Sequence, residues 1–133
     1  MIIDKIKTKG ETMSVLEGMD RLQYIIDEAK KVQPLADEHK TEENKIRGCI
    51  SNLWVTGNVT EDGTMQYQHD ADSHMTKGTA KVILDIVNGE KQTEVAKLTL
   101  DSFQPLGIRE LLTMQRQVGV ASLIERVVRI ANG

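Results

Sequence analysis

Residues 53–69 read LWVTGNVTEDGTMQYQH, a stretch in which side chains alternate in character on both sides of a turn signal. Alternate positions carry Leu53, Val55 and Val59 before the turn and Met65, Tyr67 and His69 after it. A period of two residues is typical of β-strands that bury one face. Between the two runs, Asp62-Gly63 supplies the positive φ angle of a tight hairpin turn. The sequence therefore predicts two antiparallel strands.

Apolar residues at helical spacing occur on both sides of this hairpin. A helix is predicted from Ser14 to Val32, because its first residue and the glutamate three positions later have capping-box spacing, and Pro34 follows its end. A second helix is predicted from Ser73 to Val87, and a last one after the N-cap residue Thr113. Helices outnumber the consecutive strands. We therefore expect an α+β fold, with a small antiparallel sheet packed against helices in one domain.

The composition and charge exclude several classes of protein. The 133 residues are 39% hydrophobic and 28% charged, which is sufficient for a buried core. With a net charge of -3 and 3% aromatic residues, the chain lacks the basic stripe and the stacking surfaces that nucleic-acid binding requires. No apolar run approaches the roughly 18 residues of a membrane span, and the N-terminus does not begin a signal peptide. We expect a cytoplasmic protein that binds neither nucleic acid nor membrane.

Cys49 is the single cysteine of the chain and the first candidate for chemistry. One cysteine excludes an internal disulfide and an all-cysteine zinc or iron–sulfur site within one chain, but its thiolate is a nucleophile. The neighbouring Lys45 and Arg47 favour the thiolate if their charges reach it. From composition alone, a buried cysteine acting as a small hydrophobic residue is the simpler interpretation.

Other polar residues give weaker signals. His39, His69 and His74 are the imidazoles available to a catalytic thiol, but all three are expected at the surface, and their spacing predicts no metal site. Asp70-Ala71-Asp72 ends the second strand, where its carboxylates are expected to cap the next helix; the alternative is that they form part of a surface for a partner. Arg116 lies at the start of the last helix, where it suits an acidic partner or solvent.

Three blocks of sequence carry a family resemblance. The first comprises residues 20–26 and 41–54 and includes NKIRGCISNLW; the second is DADSHMTKG at 70–78; the third is LTMQRQVGV at 112–120. In this order they resemble the SufE family, the sulfur-acceptor proteins of iron–sulfur cluster assembly. The resemblance extends over roughly residues 18 to 131, and the block around the cysteine is the most specific of the three.

This resemblance implies a function for the site. Cys49 is expected to accept a persulfide sulfur from a SufS-like cysteine desulfurase, to increase the turnover of that enzyme, and to pass the sulfur to an iron–sulfur scaffold. Gly48 and Asp72 are expected to support the cysteine loop, and Arg116 to lie on the surface that faces the desulfurase. The chain itself is expected to need no metal and no cofactor, since the pyridoxal phosphate belongs to the partner.

The resemblance also implies a SufE-like fold, which is similar to that of iron–sulfur scaffold proteins. The sheet would have about three strands, with Asn44–Gly48 as the third, and the cysteine would lie on a loop sheltered by apolar residues. A scaffold role is not expected, because one cysteine cannot supply the three ligands that such proteins use. The chain departs from the family pattern at Ile50, Ala71, Ser73 and Met114-Gln115, and these departures leave the nucleophile intact.

Two other functions stay open at this point. A non-covalent adaptor would bind a partner through the apolar loop around Ile50, Leu53 and Trp54, with Cys49 as a structural residue. A cysteine hydrolase would need a histidine within about 3 Å of the thiol. The adaptor would keep its function in Cys49→Ser, whereas sulfur transfer would be lost.

Overall fold

The computed structural model describes residues 2–49, 51–107 and 112–133. Its helices are α1 (Ile2–Val15), α2 (Met19–Lys30), α3 (His74–Val87), α4 (Gln92–Ala96) and α5 (Met114–Asn132), and its strands are β1 (Leu53–Val59) and β2 (Met65–Ala71). Two 3-10 segments, Asp37–His39 and Leu100–Leu106, lie in the connections. The architecture is a two-stranded antiparallel sheet with helices packed against it, so the predicted α+β class is confirmed.

The alternating stretch forms the predicted hairpin. Strands β1 and β2 pair antiparallel, with Leu53 opposite Ala71 and Val59 opposite Met65. In the turn, Gly63 has a φ of 82°, and the Thr60 N–H donates to the Thr64 carbonyl at 2.8 Å. The predicted strand positions and the glycine turn are therefore confirmed.

A third segment meets the sheet only briefly. Lys45 forms an isolated antiparallel bridge with Trp54 on the free edge of β1. Around it, the Ile46 N–H donates to the Leu53 carbonyl at 2.8 Å, and the Val55 N–H donates to the Asn44 carbonyl at 2.9 Å. The third strand implied by the resemblance is thus present as a bridge, and the chain leaves the sheet after it.

The N-terminal region differs from the prediction of one helix over Ser14–Val32. The structure has α1 and α2 here, separated at Gly18, whose φ of 53° lies outside the helical range. Ser14 lies in the last turn of α1 and donates its hydroxyl to the Glu11 carbonyl at 2.9 Å, so it does not act as an N-cap. The capping-box spacing was misleading because the same residues also fit the end of a helix.

The other helix boundaries agree with the sequence. Ser73 accepts a hydrogen bond from the Thr76 N–H and caps α3, and Thr113 accepts one from the Arg116 N–H and caps α5, both at 3.4 Å. Before α5, the second 3-10 segment ends at Leu106, and Gly107 follows it in the left-handed conformation. These caps fix where α3 and α5 begin, and both beginnings lie beside the cysteine loop.

The helices and the sheet share one hydrophobic core. Fully buried side chains of this core come from α1, β2, α3, α4, α5 and the second 3-10 segment: Ile6, Met65, Ile86, Val95, Val127 and Phe103. Within residues 2–49, 51–107 and 112–133, no helix combines the length and the apolar character needed to cross a bilayer.

Candidate functional site

Cys49 lies on the connection between the bridge at Lys45 and the start of β1. The stem of this connection is tied to α5 by Arg126, whose guanidinium donates to the Glu43 carbonyl at 3.0 Å and to the Lys45 carbonyl at 3.2 Å. Backbone bonds hold the other side of the stem to β1. The cysteine therefore lies on a short loop with a fixed base.

Gly48 turns this loop over α5. Its φ of 84° is in the left-handed region, which favours glycine. A Cβ at this position would also lie 3.1 Å from Cγ1 of Val118. Both the backbone angle and the close approach to the helix explain a glycine immediately before Cys49.

The thiol of Cys49 points toward α5 and is half-buried. A Cβ at Gly119 would lie only 2.9 Å from the Cys49 Sγ atom, so the missing side chain at 119 makes room for the sulfur. Beside the thiol is a cavity of about 30 Å³ between α3, β1 and α5. Residues that line it together with Cys49 include Leu53, Thr76, Thr79, Ala80, Arg116 and Val120.

Burial raises the pKa of the Cys49 thiol. The expectation that Lys45 and Arg47 promote the thiolate is therefore wrong for this position of the loop. Lys45 is engaged at the sheet edge, and the side chain of Arg47 is exposed. The positive charge of Arg47 acts instead on Arg126, whose pKa is lowered first by burial and then by Arg129 and Arg47. The resting thiol is protonated and sheltered.

Two side-chain hydrogen bonds fasten the far side of the loop. The hydroxyls of Ser51 and Thr76 are 2.7 Å apart, and the Asn52 Nδ2 atom donates to Asp72 Oδ2 at 2.6 Å. The Asp72 N–H also donates to the Asn52 carbonyl at 3.1 Å. Asp72 thus reaches the cysteine loop through Asn52, from an exposed position just after the end of β2.

The expectation that Asp70-Ala71-Asp72 caps the next helix is wrong, because Ser73 is the N-cap of α3. Asp70 is buried instead, and its carboxylate lies 2.9 Å from Lys77 Nζ and 3.3 Å from Lys40 Nζ. This carboxylate therefore belongs to structural ion pairs that join β2 to α3.

The three histidines are placed elsewhere in the fold. His69 is buried on β2 with Nε2 3.0 Å from the Lys77 carbonyl, whereas His39 and His74 are exposed. The expectation that all three lie at the surface is therefore wrong for His69. Among the described residues that line the cavity beside Cys49, none is a histidine. Over the same described ranges, no group of three or more histidine, cysteine or carboxylate side chains is placed to hold a metal ion.

The fold brings most of the predicted site residues together. Cys49 and Arg116 line one cavity, Gly48 packs on the same helix, and Asp72 holds the loop through Asn52.

Three further site residues, Gly119, Thr76 and Thr79, were not singled out from the sequence. Gly119 carried a signal, because it lies one helical turn after Arg116 and so on the same face of α5. Thr76 and Thr79 carried no sequence signal for a functional role, since threonine on a helix next to a sheet is common.

Comparison with known proteins places this site in a family. The SufE family model, described as an Fe-S metabolism associated domain, matches residues 7–131. The chain belongs to the SufE family. The resemblance found in the three sequence blocks is therefore confirmed, and the match extends into α1, which the blocks did not include.

Individual SufE-family relatives cover most of the chain. An uncharacterised SufE-like protein of Rhizobium meliloti (strain 1021) is 31% identical over 88% of this chain and 86% of its own length. The sulfur acceptor protein CsdE of Escherichia coli (strain K12) is 30% identical over 82% of this chain and 75% of its own length. The solution structure of a hypothetical protein from Thermus thermophilus superposes with a TM-score of 0.78 at 20% identity, covering 96% of this chain and 93% of that one, which shows a shared fold.

Proposed function

We propose that this SufE-family protein is a sulfur-transfer protein in which Cys49 accepts a persulfide sulfur from a cysteine desulfurase. The observation that carries the proposal is the half-buried Cys49 thiol on a fixed-base loop beside a small cavity. The similarity to a protein named as a sulfur acceptor, CsdE, supports the same chemistry. The sulfur then passes to iron–sulfur cluster assembly, in keeping with the metabolism that the family description names.

The chemical step requires one thiolate and no cofactor on this chain. The Cys49 thiolate attacks the outer sulfur of a cysteine persulfide on the partner, and a new S–S bond forms as the partner's S–S bond breaks. The partner's cysteine leaves as a thiolate, so no net oxidation or reduction occurs. The pyridoxal phosphate that generates the donor persulfide belongs to the desulfurase.

The loop has to move for this reaction to occur. In the inward position, burial raises the pKa of the Cys49 thiol, and the sulfur lies against α5 at Gly119. Among the described residues, the Ser51–Thr76 and Asn52–Asp72 hydrogen bonds join the loop side chains to α3 and the end of β2. Two such bonds near the surface are weak enough for a docking partner to replace. We infer that Cys49 swings outward on docking.

The N-terminal half of α5 is the proposed docking face. Met114 and Val118 are 75% and 53% exposed and lie one helical turn apart, and Arg116 lies between them in the sequence. Methionine and arginine side chains are both enriched in protein interfaces. A SufS-like desulfurase on this face would place its persulfide near Cys49. The downstream partner is proposed to be an iron–sulfur scaffold, and the site of action the cytoplasm.

Intact-protein mass spectrometry without reductant tests the acceptor role. The chain is incubated with the cysteine desulfurase of the same organism, pyridoxal phosphate and free cysteine, with Cys49→Ser as the matched control. A gain of whole sulfur atoms that reductant removes, on the native chain only, is expected. No gain with an active desulfurase would contradict the proposal and favour a non-covalent adaptor.

The geometry gives the adaptor less support. Leu53 is only 2% exposed, and Trp54 is half-buried with Lys40 Nζ 5.6 Å from its ring centre. Ile50, the third residue of the suggested adaptor surface, lies outside the described residues. A partner could not bind Leu53 without opening the core.

A further inference from the structure

Thr79 carries a buried hydroxyl that the sulfur-transfer step does not use. Its Oγ1 atom has essentially no exposed surface and no hydrogen-bond partner among the residues that the structure describes. A buried polar group without a partner destabilises a protein, so such groups are rare and need an explanation. By contrast, the Thr76 hydroxyl, one turn earlier on α3, is engaged with Ser51.

The position of Thr79 suggests what the hydroxyl is for. Thr79 lines the cavity that contains the Cys49 thiol, and it also lines a second cavity of about 30 Å³ deeper in the core. The other described residues around the second cavity, such as Met13, Ile25 and Leu112, have apolar side chains. Among the described residues, those side chains offer no hydrogen-bond acceptor, whereas the cavity on the other side of Thr79 contains the Cys49 sulfur.

We propose that Thr79 is a positioning residue whose hydroxyl donates a hydrogen bond to the terminal sulfur of the Cys49 persulfide. This inference rests on the proposed function and names the residue that holds the transferred sulfur inside the protein. The site then has two states: the bare thiol, which leaves Thr79 unpaired, and the persulfide, which pairs it.

The size and charge of the cavity agree with this role. A space of about 10–15 Å³ is sufficient for one water molecule, so about 30 Å³ accommodates one additional sulfur atom beyond Sγ. The terminal sulfur of a persulfide is anionic at neutral pH, because a persulfide is a stronger acid than a thiol. An anion in an apolar space requires a donor or a positive charge. Thr79, which lines this cavity, supplies the donor.

Forming the Cys49 persulfide chemically tests the role of Thr79 without a desulfurase, and therefore independently of the partner protein. Inorganic polysulfide, used without a desulfurase, reacts with the Cys49 thiolate: the Sγ–S bond forms, an S–S bond of the polysulfide breaks, and the shortened polysulfide leaves with the electron pair. The half-life of the persulfide is then measured against glutathione by intact-protein mass spectrometry. The variants are Thr79→Val, which has the same shape without the hydroxyl, and Thr79→Ser, which keeps it. Thr93→Val, at an exposed threonine of α4, is the matched control.

A roughly tenfold shorter half-life is expected in Thr79→Val, since a hydrogen bond to a charged group worth about 1.4 kcal/mol corresponds to a factor of ten. Thr79→Ser and Thr93→Val should stay within about twofold of the native chain. Equal half-lives in the native chain and Thr79→Val would overturn the proposal. So would a failure of polysulfide to load the native chain, because the cavity would then receive no second sulfur.

Thermal unfolding gives an independent second readout. Without sulfur, Thr79→Val should raise Tm by roughly 3–5 °C, because it removes an unpaired buried hydroxyl. With the persulfide in place, this gain should disappear, since the native hydroxyl is then paired. The same gain in both states would overturn the inference while leaving the acceptor role of Cys49, tested with the desulfurase, untouched.

Discussion

The Cys49 sulfur occupies the space that a side chain at Gly119 would fill, because a Cβ there would lie 2.9 Å from Sγ. Glycine inside a helix normally destabilises it by about 1 kcal/mol relative to alanine. Gly119 is a buried residue in the second turn of α5, inside the helix and beyond its N-cap. Glycine at position 119 therefore lowers the stability of the helix but leaves space for the Cys49 thiol.

Gly119→Ala is expected to destabilise the protein by about 1–2 kcal/mol, because the added methyl group overpacks the space that the sulfur occupies. This loss outweighs the helix stability that alanine normally gains over glycine. The added methyl group pushes the Cys49 thiol outward, so alkylation by iodoacetamide should be several-fold faster than in the native chain. Urea unfolding and alkylation kinetics measure the two effects.

The same substitution in a Cys49→Ala background is the control. Once the sulfur is removed, the new methyl group has room, and Gly119→Ala should become neutral or stabilising. Destabilisation of equal size in both backgrounds would show that the helix packs against something other than the thiol at this point.

The Asn52–Asp72 hydrogen bond is expected to hold the loop closed. Asp72→Ala removes the acceptor, so the outward position of Cys49 becomes more populated and alkylation should accelerate about three- to tenfold, consistent with a bond of about 1 kcal/mol. The free energy of unfolding should change by less than about 1 kcal/mol, because the pair is exposed. Asp101→Ala, at an exposed aspartate of the second 3-10 segment, should leave alkylation unchanged. An unchanged rate in Asp72→Ala would mean that the Ser51–Thr76 contact alone retains the loop.

Arg116 is expected to act in docking and not in the sulfur chemistry itself. Arg116→Ala should raise the concentration of this chain needed for half-maximal stimulation of the desulfurase about tenfold, while the plateau stays within about twofold. Titration of desulfurase turnover measures both quantities. Arg129→Ala, at an exposed arginine near the other end of α5, is the matched control. A lower plateau without a shift in half-maximal concentration would place Arg116 in the transfer step.

Local patterns in the sequence were sufficient for the hairpin, α3 and the start of α5, because alternation, Asp62-Gly63, apolar helical spacing and the Thr113 cap act within a few residues. They failed at the α1–α2 boundary, where one capping-box spacing fits both the end of a helix and the beginning of another. The bridge at Lys45 was also beyond them, since it depends on pairing with Trp54 further along the chain. The family resemblance identified Cys49, but the roles of Gly119 and Thr79 depend on packing between α3, α5 and the loop, which no local pattern encodes.

A buried carboxylate away from the cysteine makes the stability of the fold depend on pH. Asp70 is buried near the end of β2, where burial by itself raises its pKa. The hydrogen bond from Lys77 and those from the backbone N–H groups of Leu35 and Ala71 outweigh burial and bring the pKa down to about 2. The charged Asp70 carboxylate is therefore more strongly stabilised in the folded state than in the unfolded chain.

The stability that Asp70 contributes is fully present above its unfolded pKa, about 3.9, and is lost as the pH falls toward its folded pKa of about 2. The shift corresponds to about 2–3 kcal/mol. Urea unfolding of the native chain and of Asp70→Asn at about pH 7, 4 and 2.5, values chosen to span this window, measures it. At pH 7 the variant should be less stable by about 2 kcal/mol, because Lys77 and Lys40 lose their carboxylate.

Toward the acid end of that series the two stability curves should converge, since protonation removes the same charge from the native chain. His69, whose pKa burial lowers, is present in both chains, and its contribution is largely removed by the comparison. A difference that stays constant across the series would mean that the amide disturbs packing and that the ion pairs of Asp70 contribute nothing measurable.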